Sequence, residues 1–292
     1  MSERIKVLKT YKIFIDGKFP RTESGRYYQL KSNDKPFANV CMSSKKDLRN
    51  AVVAARKAFQ PWADKTAYNR SQILYRIAEM LESRKNQFTD ELVVQGFSKK
   101  DASKELDQSI DRIIYFAGWA DKINQVFGAV NPVATSHFNF TLLEPMGIVG
   151  LLSSDKSPLL GLISSIIPVI VSGNSCVVIA SEKYPLSSIS FAEVIANSDV
   201  PSGVVNILTG TKKELVTPTS LHMDINALGI FSQNMDRQLF INATENLKRI
   251  SSYNEVQIQS KDFESPYIIK NFMEAKTTWH PIEFDFTKSS NY

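Results

Sequence analysis

Cysteine is nearly missing from this chain: Cys41 and Cys176 are the only two in 292 residues. Two thiols in a chain this long exclude a disulfide framework as its means of support. Histidine is scarce as well. His137, His222 and His280 lie far apart, and no Cys/His pair has the spacing of metal ligands, so no metal centre is expected. No apolar run is long enough to cross a bilayer. The longest, from Pro158 to Val171, is interrupted by Gly161, Ser164, Ser165 and Pro168. The opening Met1-Ser2-Glu3-Arg4-Ile5-Lys6 has neither an apolar core nor a small-residue cleavage site. No signal peptide and no membrane partner are therefore expected, and cytoplasmic residence is the default. Lys/Arg blocks interleaved with aromatics are also wanting. The net charge of +5, from 35 basic and 30 acidic residues, is too slight to argue for a nucleic-acid partner.

What the chain does have is ordinary globular material, 43% hydrophobic and 22% charged, enough to bury a sizeable core. Residues 11–15 read as a strand entering a tight turn at Asp16-Gly17. Ser44 is placed to cap a helix with Leu48, Val52, Ala55 and Phe59 at helical spacing, and Pro61 is expected to end it. A longer helix is predicted from Tyr68 to Val94, stopped by Gly96. A third should run from Ser98 toward Phe127, with Asn131-Pro132 breaking the pattern. From there the rhythm alternates. Strands are predicted at Phe138–Leu142, Ile148–Leu152, Val177–Ile179, Val204–Leu208 and Ala227–Phe231. Helices should begin at Pro158 and span Leu186–Ala196 and Asp236–Ile250; the last residues, Thr287–Tyr292, should fray. This order argues for an α/β fold with an open, largely parallel, Rossmann-like sheet covered on both faces.

Several blocks carry a resemblance. Ile13-Phe14-Ile15-Asp16-Gly17-Lys18-Phe19 is similar to the opening hairpin of NAD(P)-dependent aldehyde dehydrogenases, and Ala54 to Trp62 resembles their first helix. Asn69-Arg70 to Leu81 resembles the next. Glu144-Pro145-Met146-Gly147-Ile148-Val149-Gly150 and Gly173-Asn174-Ser175 are more specific. The strongest is Pro201-Ser202-Gly203-Val204-Val205-Asn206-Ile207-Leu208-Thr209-Gly210. The match runs from Tyr11 to Ser232. Within the superfamily the chain looks most like the degenerate second unit of the two-unit branch, the sixteenth family. The resemblance implies a cofactor-domain fold with long N-terminal helices and oligomerisation arms. It suggests an N-terminal part over 1–132, an arm over 133–145, a Rossmann-like core over 146–255 and a tail over 256–292.

The departures from that family bear on chemistry. Its reaction needs a thiolate, an oxyanion donor, a carboxylate to activate water and a nicotinamide to take hydride. The family's Pro-Trp-Asn-Phe-Pro reads Ser154-Asp155-Lys156-Ser157-Pro158 here, so the oxyanion Asn falls on Lys156, whose flexible stem lacks the planar geometry of an amide. The ribose-binding Lys falls on Ile179, while its accompanying Glu survives as Glu182. A glycine beside the adenine falls on Lys212. The family's Thr-Gly-Ser, which opens a helix under the pyrophosphate, becomes Phe231-Ser232-Gln233, and bulk there is expected to block phosphate. Ser153, Ile179, Lys212, Ser232 and Gln233 thus count as degenerate cofactor positions, with Glu182 the one survivor. The family's base Glu and its Gly-Gln-x-Cys context are missing, and Cys41 and Cys176 read as small apolar fillers. On this reading the chain has no catalytic residue of its own and no cofactor is expected, with NAD(P) as the alternative.

Asp155 and Lys156, near Ser153, Ser154, Ser181 and Glu182, admit a reused cleft, although adjacent Asp and Lys more often form a solvated surface pair. The tail segment Phe272 to Trp279 resembles the strand with which these enzymes pair to a neighbouring subunit; a strand closing this chain's own sheet is the other reading. Two functions follow as expectations. One is an inactive partner of a complete aldehyde dehydrogenase subunit, or of itself. The other is a residual NAD(P)-binding oxidoreductase completed by a partner's cysteine.

Overall fold

A computed structural model describes residues 7–32, 34–233 and 236–282; the segment expected to fray lies outside them. The chain opens with β1 (Thr10–Tyr11) and the predicted turn at Asp16-Gly17. Both turn residues have positive φ, 52° and 71°, and Ile15 and Lys18 exchange backbone hydrogen bonds across them. β2 (Tyr27–Ser32) and β3 (Lys35–Cys41) form an antiparallel pair that the sequence reading omitted, with β1 parallel to β3.

The helical region departs from the sequence reading at its breaks. α1 (Lys45–Ala63) starts as expected, with the Asp47 carboxylate accepting from the Ser44 N–H at 2.7 Å and its hydroxyl at 2.8 Å. Pro61 does not end it. The proline sits in the last turn and forfeits only the single bond its N–H would have made toward Lys57, and the helix runs two residues past it. The single helix predicted from Tyr68 to Val94 is two, α2 (Ala67–Ser83) and α3 (Lys85–Val94). Arg84 leaves helical geometry between them, at φ −108° and ψ 18°, and its guanidinium reaches Glu193 at 3.2 Å. Gly96, at φ 106°, follows α3. The third predicted helix also divides, into α4 (Lys99–Ala117) and α5 (Ile123–Phe127), with a turn from Gly118 to Lys122.

Next come β4 (Ala129–Asn131), unforeseen, and β5 (His137–Pro145), longer than predicted. The alternating part follows: β6 (Ile148–Leu152), α6 (Pro158–Val171), β7 (Ser175–Ile179), α7 (Leu186–Ala196), β8 (Val205–Leu208), α8 (Lys212–Leu221), β9 (Ala227–Ile230) and α9 (Arg237–Ala243). Pro158 occupies the first turn of α6, where its missing N–H costs nothing. The helix predicted over Asp236–Ile250 stops at Ala243, and its last residues enter a strand, β10 (Arg249–Ser252). α10 (Glu255–Gln259), α11 (Pro266–Lys270) and β11 (Met273–Pro281) complete the described chain.

Five strands form one parallel sheet in the order β10-β9-β6-β7-β8. Alternate side chains of β6 and β7 feed two cores. Val149, Leu151, Cys176 and Val178 pack with α2, α4, α6 and α7; Ile148, Leu152, Val177 and Ile179 pack with α1, α8 and α9. Every residue of α6 is buried, the hallmark of a helix enclosed on all sides. The sheet is therefore covered on both faces, as the alternation of elements requires. A separate antiparallel sheet runs β11-β5-β4, with Met273 opposite Pro145 and Pro281 opposite His137. The tail strand thus closes this chain's own sheet. One edge of β11 faces β5, and among the described residues its other edge has no strand beside it.

Candidate functional site

In an open parallel sheet the crevice beyond the carboxyl ends of the strands collects loops from several elements, and ligands bind there. Here those loops carry Ser153 and Asp155 after β6, Ser181 and Glu182 after β7, Lys212 at the start of α8 and Ser232 after β9. Lys212 Nζ donates to the Ser153 carbonyl at 3.0 Å and to Ser232 Oγ at 2.8 Å, and it pairs with Asp155 Oδ2. Asp155 Oδ1 accepts from Ser181 Oγ at 2.9 Å and from the Glu182 N–H at 3.2 Å. Glu182 Oε2 accepts from the Lys212 N–H at 3.0 Å. The pair expected between neighbours Asp155 and Lys156 is not formed; Asp155 reaches across the crevice to Lys212.

The other sequence-predicted positions divide. Ser153 is fully buried, and its hydroxyl has no partner among the described residues. Ile179 lies in the core below the crevice, so it contributes no polar group. Gln233 is exposed. Phe231 does not block the crevice. Its ring turns into the core and packs against Tyr253 and Phe263, with centroids 5.0 and 6.1 Å away. The helix after β9 starts at Arg237, capped by Asp236, and not at residues 231–233. The expected steric block at Phe231-Ser232-Gln233 is therefore corrected: the group at the strand ends is a lysine ammonium.

Lys156 is exposed and lines a second cleft with Asp101, Lys104, Glu105, Ser157 and Gln259. This cleft adjoins the first turn of α6. Two carboxylates lie there, and the sequence reading did not single them out. Glu105 Oε1 accepts from the backbone N–H of Leu159 at 2.8 Å and of Leu160 at 3.0 Å. Glu255 accepts from the hydroxyls of Ser154 and Ser157, and Ser154 Oγ accepts from the N–H groups of Lys156 and Ser157. The free donors of the helix end are thus met by the chain's own side chains. Glu105, Ser109 and Arg112 recur at helical spacing on the buried face of α4, a polar seam that periodicity alone would have revealed.

Burial pushes the Glu105 carboxyl up to about 7, with the nearby Glu255 adding to the rise and the two backbone donors opposing it. Between pH 4.5 and about 7 the unfolded chain ionises at this residue while the folded chain holds its proton. Stability contributed by Glu105 is full below that window and is lost as pH rises through it, by roughly 3 kcal/mol. Glu105→Gln should flatten that dependence. Thermal melts at pH 5 and pH 8 check it; an unchanged pH response in the variant refutes the assignment.

Both thiols are buried. Burial pushes the Cys176 thiol well up, and it lies near the amino end of β7, away from the crevice. Cys41 packs in the core beside α1. Among the described residues no group of three or more His, Cys, Asp or Glu side chains is placed to hold a metal, and no helix is long and apolar enough to cross a membrane.

Residues 26–253 match the aldehyde dehydrogenase family. An aldehyde dehydrogenase of Aspergillus niger is 31% identical over 245 residues, which is 82% of this chain and 49% of the relative. An NAD+ complex of aldehyde dehydrogenase from Bacillus cereus superposes with a TM-score of 0.79 at 24% identity, covering 84% of this chain and 51% of that one. PnpE from Pseudomonas sp. WBC-3, in complex with nicotinamide adenine dinucleotide, gives 0.78 at 25% identity, with 82% and 50% covered. The chain spans about half the length of the relatives it matches. These findings overturn the expectation that no cofactor belongs to this scaffold.

Proposed function

The chain belongs to the aldehyde dehydrogenase family, and from that premise we propose that it is an NAD(P)-binding subunit without a nucleophile of its own, which pairs with a complete aldehyde dehydrogenase subunit or with itself. In this reading it stands near the degenerate second unit of the two-unit branch and resides in the cytoplasm. The observation that carries the pairing is the β11-β5-β4 sheet. Val130, Phe138 and Leu142 are exposed on it, and Trp279 is 57% exposed on β11. A sheet with an open edge and unburied aromatics favours a second chain over solvent. Neither Cys41 nor Cys176 is exposed as an attacking thiol must be, which supports this reading.

Light scattering after size exclusion tests the pairing. The purified chain should run as a dimer or larger, and Phe138→Lys with Leu142→Lys, two residues exposed on one face of β5, should yield a folded monomer, each anchor contributing about 2 kcal/mol. A wild-type monomer that also fails to bind a complete aldehyde dehydrogenase subunit removes this reading.

The residues at the strand ends fit a dinucleotide. Lys212 offers a cation for phosphate, Ser232 offers a hydroxyl, and Glu182 offers an acceptor for ribose hydroxyls. NAD(P), when bound, supplies the hydride acceptor of the family's chemistry. These residues support a second reading, an oxidoreductase that acts on aldehydes when a partner's cysteine completes it. Calorimetric titration with NAD+ and NADP+ tests the cofactor, and absence of heat at millimolar ligand removes it. Aldehyde turnover by a mixture with a complete subunit, beyond that subunit's own rate, would favour the second reading.

A further inference from the structure

The contacts around Lys212 form a closed ring. One ammonium and two carboxylates, those of Asp155 and Glu182, join the loops after β6, β7 and β9 to the first residue of α8. The two charges are not equally enclosed. The Lys212 side chain is 12% exposed, and that of Asp155 is 39% exposed. A cation this far from water needs an anion beside it. The anion here is the more exposed of the two and stands on a loop. Removing Asp155 while another anion arrives leaves the ammonium compensated; removing Lys212 leaves nothing buried for an anion to meet.

Ser153 adds an independent observation. Its carbonyl holds the ammonium, yet its own hydroxyl is fully buried and has no partner among the described residues. Such a group normally finds a hydrogen-bond partner.

We propose that Lys212 is the centre of a nucleotide-phosphate site that Asp155 holds shut, the carboxylate standing where a phosphate oxygen of the ligand sits when the site is filled. Ligand entry exchanges one anion for another: the Asp155 side chain turns toward water, and Lys212 and Ser232 turn to the phosphate. Lys212 is then a ligand-binding residue and not a plug. The inference deepens the NAD(P) reading and rests on it for the identity of the natural ligand.

Titration calorimetry on the full chain decides it, with NADP+ and inorganic pyrophosphate as separate probes. Closure by Asp155 lowers apparent affinity by the fraction of molecules that are open. Asp155→Asn is therefore expected to bind both probes about tenfold more tightly than wild type. Asp155→Ala gives the same readout should the amide refill the contact. Lys212→Ala should bind both more weakly than wild type, and adding Asp155→Asn to it should restore nothing. Thermal melts establish that each variant is folded. The proposal is overturned if neither Asp155 variant gains affinity for either probe, or if Lys212→Ala binds more tightly than wild type. Wild-type binding of NADP+ with no gain in the Asp155 variants leaves the cofactor reading standing and this inference fallen. Lys212-dependent gain for pyrophosphate, with NADP+ ignored by every variant, supports the anion site and removes the dinucleotide.

Discussion

Gly203→Ala is expected to destabilise the chain by about 3 kcal/mol or more. Gly203 sits at φ 86°, a conformation that L side chains rarely adopt. A Cβ there would lie 2.6 Å from the backbone oxygen of Ala54 and 3.0 Å from Ala58 Cβ. Both neighbours belong to α1, and backbone cannot yield as a flexible side chain does. The substitution must push α1 off the sheet edge that it covers. Gly25→Ala is the control. Its φ is 67°, but nothing lies within 4 Å of the added carbon. It should cost only the conformational part, about 1 kcal/mol. Urea denaturation of the two variants compares them directly, and equal midpoints would show that the contact with α1 is unimportant.

Arg112→Ala is expected to be nearly as severe, by about 3–5 kcal/mol, and to act locally. Arg112 is buried, and its fork is shared among three elements. Nη1 donates to Ser164 Oγ of α6 at 2.8 Å; Nη2 donates to the carbonyls of Ile258 and Ser260, each at 3.2 Å. Glu264 lies 3.8 Å from Nε, and the guanidinium stacks 5.0 Å from the Phe263 ring. Without it the carbonyls of Ile258 and Ser260, at the end of α10, lose this donor, and the segment from Glu255 to Phe263 loses its tie to α4. Hydrogen exchange should rise over that segment while β6 and β7 stay protected. Arg112→Lys should recover little, because an ammonium does not span the fork. Uniform exchange across the chain would show that Arg112 supports the whole fold and not this segment.

Much of the fold was readable because the strands of the parallel sheet are short, apolar and punctuated. Ile148–Leu152 and Leu186–Ala196 fall where the residues place them, and Pro158 opens α6 as its chemistry dictates. The errors have physical causes. Hydrophobic spacing continues through Arg84 and through Gly118–Lys122, so periodicity alone joins helices that the backbone separates. β2 is largely exposed, and only Tyr28 and Leu30 turn inward, too short an alternation to read. α8 buries only Leu215, Thr219 and Ser220 and contains Pro218, so it has no apolar stripe. β10 is four residues long and only half-buried, too little to interrupt a helical pattern.

The crevice followed from topology, since parallel strands deliver their loops to one edge. Its occupants did not. Lys212 and Asp155 are 57 residues apart in sequence, and only the sheet brings them together. Phe231 misled for a related reason. A bulky residue in place of a small one reads as an obstruction until its side-chain direction is known, and here the ring faces Tyr253 and Phe263.

The pairing of β5 with β11 has a consequence for how the molecule is made. The two strands are roughly 130 residues apart along the chain, so this ladder closes one of the longest loops in the fold. During synthesis β5 leaves the ribosome with its partner still untranslated, and helices α6 to α11 must form in between. Until β11 arrives, Phe138 and Leu142 stand on a strand with one naked edge, open to chaperones or to a neighbouring nascent chain.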